Sequence, residues 1–157
     1  MEYRKILLAL DMTDKGTVLF DQALDLAHKY DAEIALLCCF EQETVAEAED
    51  RVATVAELNM SDSQRIHDRK RHDELAHVRA WLESLVQVAA ERGVSARADA
   101  EEGNPAQRIV EMAVHWGADL IILGHASRHP IRELLLVNIN CQVVRDAPCA
   151  VLITKPF

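Results

Sequence analysis

The sequence predicts an α/β three-layer sandwich, and three observations carry that prediction. Apolar runs of strand length recur at Lys5–Asp11, Glu33–Phe40, Asp119–Gly124 and Cys149–Thr154, short and continuous, as strands buried on both faces are. Segments of helical period separate them, so strand–helix–strand units follow one another and imply parallel pairs with right-handed crossovers. A fifth segment, Val94–Ala100, alternates small apolar with polar residues, the pattern of a half-exposed edge strand. Five strands alternating with helices make a sheet covered on both faces.

Each element has its own warrant. Lys5–Leu10 is apolar and ends on the carboxylate of Asp11, and Thr13 is placed to cap the helix that follows. In that helix Phe20, Ala23, Leu24 and Ala27 fall on one face. Glu33–Phe40 is the second strand, with Cys38 and Cys39 pointing to opposite faces. Glu41 to Arg92 shows no strand signal. Thr44–Leu58 reads as a polar helix, interrupted at Asn59–Asp62, and a longer helix then runs toward Arg92. Its second half has a buried stripe of Leu75, Val78, Leu82, Leu85 and Ala89, while Gln64–Asp73 is highly charged and is expected to extend from the core. His67, His72 and His77 recur every five residues, which does not stack them as i,i+4 metal ligands. Gly93 closes the helix at C′. Asn104 is placed as N-cap, Pro105 at N1 and Gln107 at N3 of the next helix, which buries Ile109, Met112/Ala113 and Trp116 and ends at Gly117.

Composition narrows the function classes. The 157 residues are half hydrophobic and 27% charged, with a net charge of −9. This size and balance suit one globular domain over residues 1–157. A strong negative balance opposes binding to nucleic-acid phosphates, and the cations of Arg65–Arg71 are interleaved or flanked by Asp68, Asp73 and Glu74. No apolar run approaches the ~20 residues of a membrane span. The start of the chain leads straight into a strand with no signal-peptide pattern, so a cytoplasmic location is expected. Four cysteines without C-x-x-C spacing read as small hydrophobes in a reducing compartment.

The chain is organised around Asp119–Arg145. A buried strand ends at Gly124, Pro130 forbids regular structure just before it, and from Ile131 a helical period places Leu135, Ile139 and Gln142/Val143 on one side. A strand that ends in glycine and feeds a helix is where α/β proteins hold phosphates, because the helix start has unpaired N–H groups and glycine permits close approach.

Four separated pieces resemble the universal stress protein family: Leu10-Asp11, Glu102-Gly103-Asn104-Pro105-Ala106, Gly117–Gly124, and Ala147-Pro148-Cys149-Ala150-Val151-Leu152-Ile153. That resemblance implies a Rossmann-like, adenine nucleotide alpha hydrolase-like fold with strand order 3-2-1-4-5, and a ligand crevice between strands 1 and 4. It further implies ribose contact by Asp11 beside Ala9, adenine near Cys39, and a phosphate loop built from Gly124, Ser127, Val137, Asn138 and Ile139. ATP-binding members show Gly-x2-Gly-x9-Gly-(Ser/Thr) there. This chain keeps Gly124 but has Ser127, Val137 and Asn138 at the other positions. Ser127 and Asn138 can still donate to a phosphate, whereas the branched Val137 crowds a ligand and disfavours positive φ.

The expectation is a small cytoplasmic homodimer with weak or altered adenine-nucleotide binding, ATP with Mg²⁺ included. The alternative is a module that binds no ATP and acts through protein contacts alone. The resemblance places the dimer contact on Cys149–Thr154, and the charged stretch Gln64–Asp73 is a candidate surface for a protein partner. No Ser/His/Asp or Cys/His set has local motif support, so at most slow ATP hydrolysis is expected.

Overall fold

The computed structural model describes residues 2–40, 60–125 and 139–155. Its strands are β1 (Lys5–Ala9), β2 (Glu33–Phe40), β3 (Ala96–Glu102), β4 (Leu120–Gly124) and β5 (Ala150–Thr154), and its helices include α1 (Asp14–Tyr30), α2 (Met60–Glu91) and α3 (Pro105–Trp116). A last helix, α4, covers residues 139–146. All strand pairs are parallel and the sheet order is β3-β2-β1-β4-β5, the order that the resemblance implied. The expected polar helix Thr44–Leu58 lies outside the described residues.

Alternation along the strands divides the core in two. Ile6, Leu8, Ile34, Leu36, Leu120 and Ile122 face α1 and α2, where Phe20, Leu24, Leu82 and Leu85 cover them. Leu7, Ala35, Leu37, Ile121 and Leu123 face α3 and α4, where Ile109, Ala113 and Val143 complete the second layer. Truncating one of these fully buried leucines to Ala would cost about 2–5 kcal/mol.

Local chemistry fixes the helix ends. Thr13 is extended and accepts the Gly16 N–H at 3.3 Å, and Asn104 accepts the Gln107 N–H at 3.1 Å with Pro105 in the first turn. Asp119 Oδ2 accepts the backbone N–H groups of Arg4 and Lys5, each at 2.9 Å, which ties the start of β1 to the start of β4.

Several boundaries differ from the sequence reading: β1 ends at Ala9 rather than Asp11, and β4 begins at Leu120 rather than Asp119. β3 begins at Ala96 rather than Val94, and it runs on through Glu102, pairing with Phe40. Val94 instead closes α2: its N–H donates to Ala89 O at 2.9 Å while that of Gly93 donates to Ala90 O at 3.0 Å, and its side chain is buried. This is the paired bonding of a Schellman end with its hydrophobic contact. α2 already includes Met60–Asp62, so the polar break is narrower than expected. β5 starts at Ala150, one residue after Cys149.

Arg65–Glu74 are exposed throughout, the half of α2 without a buried stripe, although Arg71 reaches Glu102 at the end of β3 as an ion pair. No helix among the described residues is long and apolar enough to cross a membrane.

Candidate functional site

In an open parallel sheet the crossover direction reverses where two strands lead away to opposite sides, and the gap beyond their carboxyl ends is left open. Here β1 leads to β2 on one side, and its other neighbour is β4, which leads to β5. The β1–β4 register ends at Ala9 opposite Leu123. Leu10 then turns toward β2, its N–H donating to Leu37 O at 3.0 Å. A cleft of about 220 Å³ opens at this point, smaller than the ~300–1,000 Å³ of pockets for drug-sized ligands.

The floor is apolar. Ala9, Leu37, Cys39, Ile109, Leu123 and Ile139 line it, and the rim includes Asp11, His125 and Asn140. Asp11 is exposed. Its Oδ1 accepts the Thr13 hydroxyl at 2.7 Å and its carbonyl accepts the Thr13 N–H at 2.9 Å. The same Thr13 hydroxyl caps α1, so the helix start and the carboxylate orientation are set by one side chain.

Five of the eight residues expected at the site, Ala9, Asp11, Cys39, Gly124 and Ile139, line this one cleft. Ser127, Val137 and Asn138 lie outside the described residues. Cys38 and Cys39 face opposite sides of the sheet, as neighbours on a strand must. Burial pushes the Cys39 thiol up to about 12, with the adjacent Cys38 and Glu101 adding to the effect and Arg108 opposing it. Burial, then the nearby Asp11, raises Cys38 to about 11. Both are therefore neutral thiols at physiological pH, and Cys39 offers the cleft a small, weakly polar wall.

Nine of the fourteen lining residues were not among those expected, and two of them, Gly16 and Asn140, make specific close contacts. Gly16 sits in the first turn of α1, and a Cβ built there would overlap the carbonyl oxygen of Asp11. Only glycine lets α1 start this close to the Asp11 turn. Its signal was a glycine three residues after a capping Thr, beside the carboxylate that ends β1. Asn140 is buried, 7% exposed, and its Nδ2–H donates to Gly124 O at 3.1 Å. Its signal was helical spacing, because it lies three residues before the fully buried Val143.

Comparison with known proteins agrees with this architecture. Residues 2–155 match the Universal stress protein family. The chain belongs to that family. A universal stress protein of Synechocystis, Sll1388, is 29% identical over 155 residues, covering 99% of each chain. Among solved structures, a universal stress protein in complex with cAMP superposes with a TM-score of 0.68 at 18% identity, covering 100% of both chains. A universal stress protein from Archaeoglobus fulgidus in complex with dAMP gives a TM-score of 0.61 at 14% identity and 98% coverage of both. At these identities the structural likeness is one of fold.

Proposed function

We propose that this universal stress protein is a stress-response module that binds an adenine nucleotide, weakly, in the cleft between the ends of β1 and β4. Gly124 is the observation that carries the reading. Its φ is not in the left-handed region, and an added Cβ would make only an ordinary contact with Leu19 Cδ2 at 3.5 Å. The fold therefore does not require glycine there, although glycine in a strand costs conformational entropy. Close approach of a ligand to the β4 end accounts for it.

In this reading the base lies against the apolar floor beside Cys39, and the Asp11 carboxylate takes the ribose hydroxyls. The family motif assigns Ser127, Asn138 and Ile139 to the phosphates, with Mg²⁺ accompanying a triphosphate. The cleft residues fit such a group: an apolar slot for a base, an acceptor for hydroxyls, and a bare backbone where the sugar and first phosphate pass. That relatives of the same fold are known with cAMP and dAMP supports the class of ligand. Val137 limits affinity, because a branched residue where glycine would admit close approach crowds the phosphates. Titration calorimetry with Mg-ATP and AMP tests the reading on the wild type and on Val137→Gly. Weak wild-type binding that tightens in the variant is expected, and no binding by either protein to either nucleotide would refute it.

A second reading, an interaction module that uses no ATP, is favoured by β5. Among the described residues that strand pairs only with β4, and Leu152 and Ile153 are 42% and 39% exposed. An open apolar edge invites another strand, so a homodimer through Cys149–Thr154 is proposed under either reading. Light scattering at micromolar concentration should show a dimer that Leu152→Pro disrupts. A monomeric wild type sinks this proposal.

A further inference from the structure

We propose that Asn140 is a positioning residue of the nucleotide cleft, supplying to the end of β4 the hydrogen bond that β1 no longer gives. The inference rests on the nucleotide reading above for its ligand consequence and on the following geometry for the rest. The last residue of β4, Gly124, extends one position beyond the β1 pairing, which ends at Leu123. The next N–H, of His125, donates to Thr154 O of β5 at 2.7 Å. No peptide among the described residues is cis, and in a trans peptide the carbonyl points opposite to the following N–H. The Gly124 carbonyl therefore points away from β5, into the gap that β1 leaves on turning toward Leu37.

A carbonyl aimed into an apolar cleft needs a donor. Asn140 provides it at 3.1 Å, and it is the only buried polar side chain among the described residues. Burying a carboxamide is costly unless it is hydrogen-bonded, so this side chain would not occupy a core-facing position of α4 without such a partner. One turn on, Val143 is fully buried against the sheet. Val143 thus holds α4 to the core, and Asn140, one turn before it, ties the helix to the strand end across 16 positions of chain. Gly124 and Asn140 both line the cleft, so the tie sets the width of the cleft where a ligand leaves the apolar floor.

The donor can be removed or made switchable with side chains of the same branched skeleton. Asn140→Leu keeps that skeleton, is somewhat bulkier, and loses the donor. Asn140→Asp replaces it with a carboxyl that donates when protonated and repels the Gly124 carbonyl when ionised. Such a group has a raised folded-state pKa, so the stability it gives is present at low pH and is lost as pH rises through that pKa. Asp11, His125 and Cys39 are the other titratable groups on the cleft lining. Wild type shares them, so each variant is compared with wild type at the same pH.

The experiment measures thermal unfolding and AMP binding by calorimetry for wild type and both full-length variants from pH 5 to pH 8. Asn140→Asp should melt below wild type at pH 8 and close that gap toward pH 5, while Asn140→Leu keeps a constant deficit. AMP affinity should fall tenfold or more in both variants at pH 8, and only the Asp variant should regain it on acidification. Equal pH profiles for the two variants, or AMP binding at wild-type strength in both, would overturn the proposal. A wild type that binds no AMP overturns the nucleotide reading, and the thermal comparison then decides the tether on its own.

Discussion

Gly124→Ala separates a ligand role for that glycine from a structural one. Alanine's added methyl would sit 3.5 Å from Leu19 Cδ2, an ordinary contact, at a backbone angle that any L-residue adopts. The unfolded chain loses freedom when glycine is replaced, which alone stabilises the fold by about 0.4–1 kcal/mol. Stability should thus be unchanged or slightly raised in urea or thermal unfolding. Binding should move the other way. The methyl projects from the end of β4 beside a cleft of only about 220 Å³, and a one-carbon misfit in a shaped site is worth about 1–3 kcal/mol. That range corresponds to a loss of roughly 5- to 150-fold in AMP affinity. Calorimetric titration with AMP on both proteins supplies the second measurement. Loss of more than about 1 kcal/mol of stability would show that the fold itself demands glycine, contrary to the reasoning from φ and contact distance. Unchanged AMP affinity would refute close approach at this residue.

Gly16→Ala should behave in the opposite way, because its Cβ would overlap the Asp11 carbonyl oxygen. Overpacking of this kind costs about 1–3 kcal/mol, seen as a lowered urea midpoint, and full wild-type stability would show that the Asp11 turn yields freely. Cys38 and Cys39 should resist iodoacetamide at pH 7.5 in the folded protein, since burial raises both thiols to about 11 and about 12; labelling at the rate of a free thiol would contradict their placement. Their raised values also favour the folded state below the ordinary thiol range. That contribution is present up to about pH 9 and is lost as pH rises toward 11–12, so Cys38→Ala with Cys39→Ala should flatten the alkaline fall in stability. Amide exchange should be faster across Arg65–Glu74, where every side chain is exposed, than across Leu75–Ala89, which carries the buried stripe of α2; uniform slow exchange would mean that the charged half is held by further contacts.

The fold was legible because its core strands are apolar on both faces. Ile6–Leu8, Ile34–Leu37 and Ile121–Leu123 are almost wholly buried, so their sequences needed no alternation to be recognised. Capping chemistry at Thr13, Asn104 and Pro105 likewise placed two helix starts correctly, because those residue types satisfy backbone donors that the helix cannot. β3 was misplaced at both ends for one physical reason. An edge strand is specified by only one face, so the buried Val94 looked like its beginning and the charged Glu101 and Glu102 looked like its end. Tertiary pairing with Cys39 and Phe40 decided otherwise.

Part of the cleft was readable for a different reason. Asp11 and Gly124 stand at strand ends, where topology alone brings β1 and β4 together. Asn140 does its work through a contact across the cleft and Gly16 through close packing on the Asp11 turn, and neither changes the local periodicity of its helix. The Gly124 carbonyl explains the asymmetry. Its need for a donor exists only because β1 stops one residue earlier, a fact of register between strands more than a hundred positions apart. A buried asparagine on a helix is costly in isolation and becomes favourable once that carbonyl is in place. The departure of β1 thus creates the cleft and, with it, the unpaired acceptor that Asn140 satisfies.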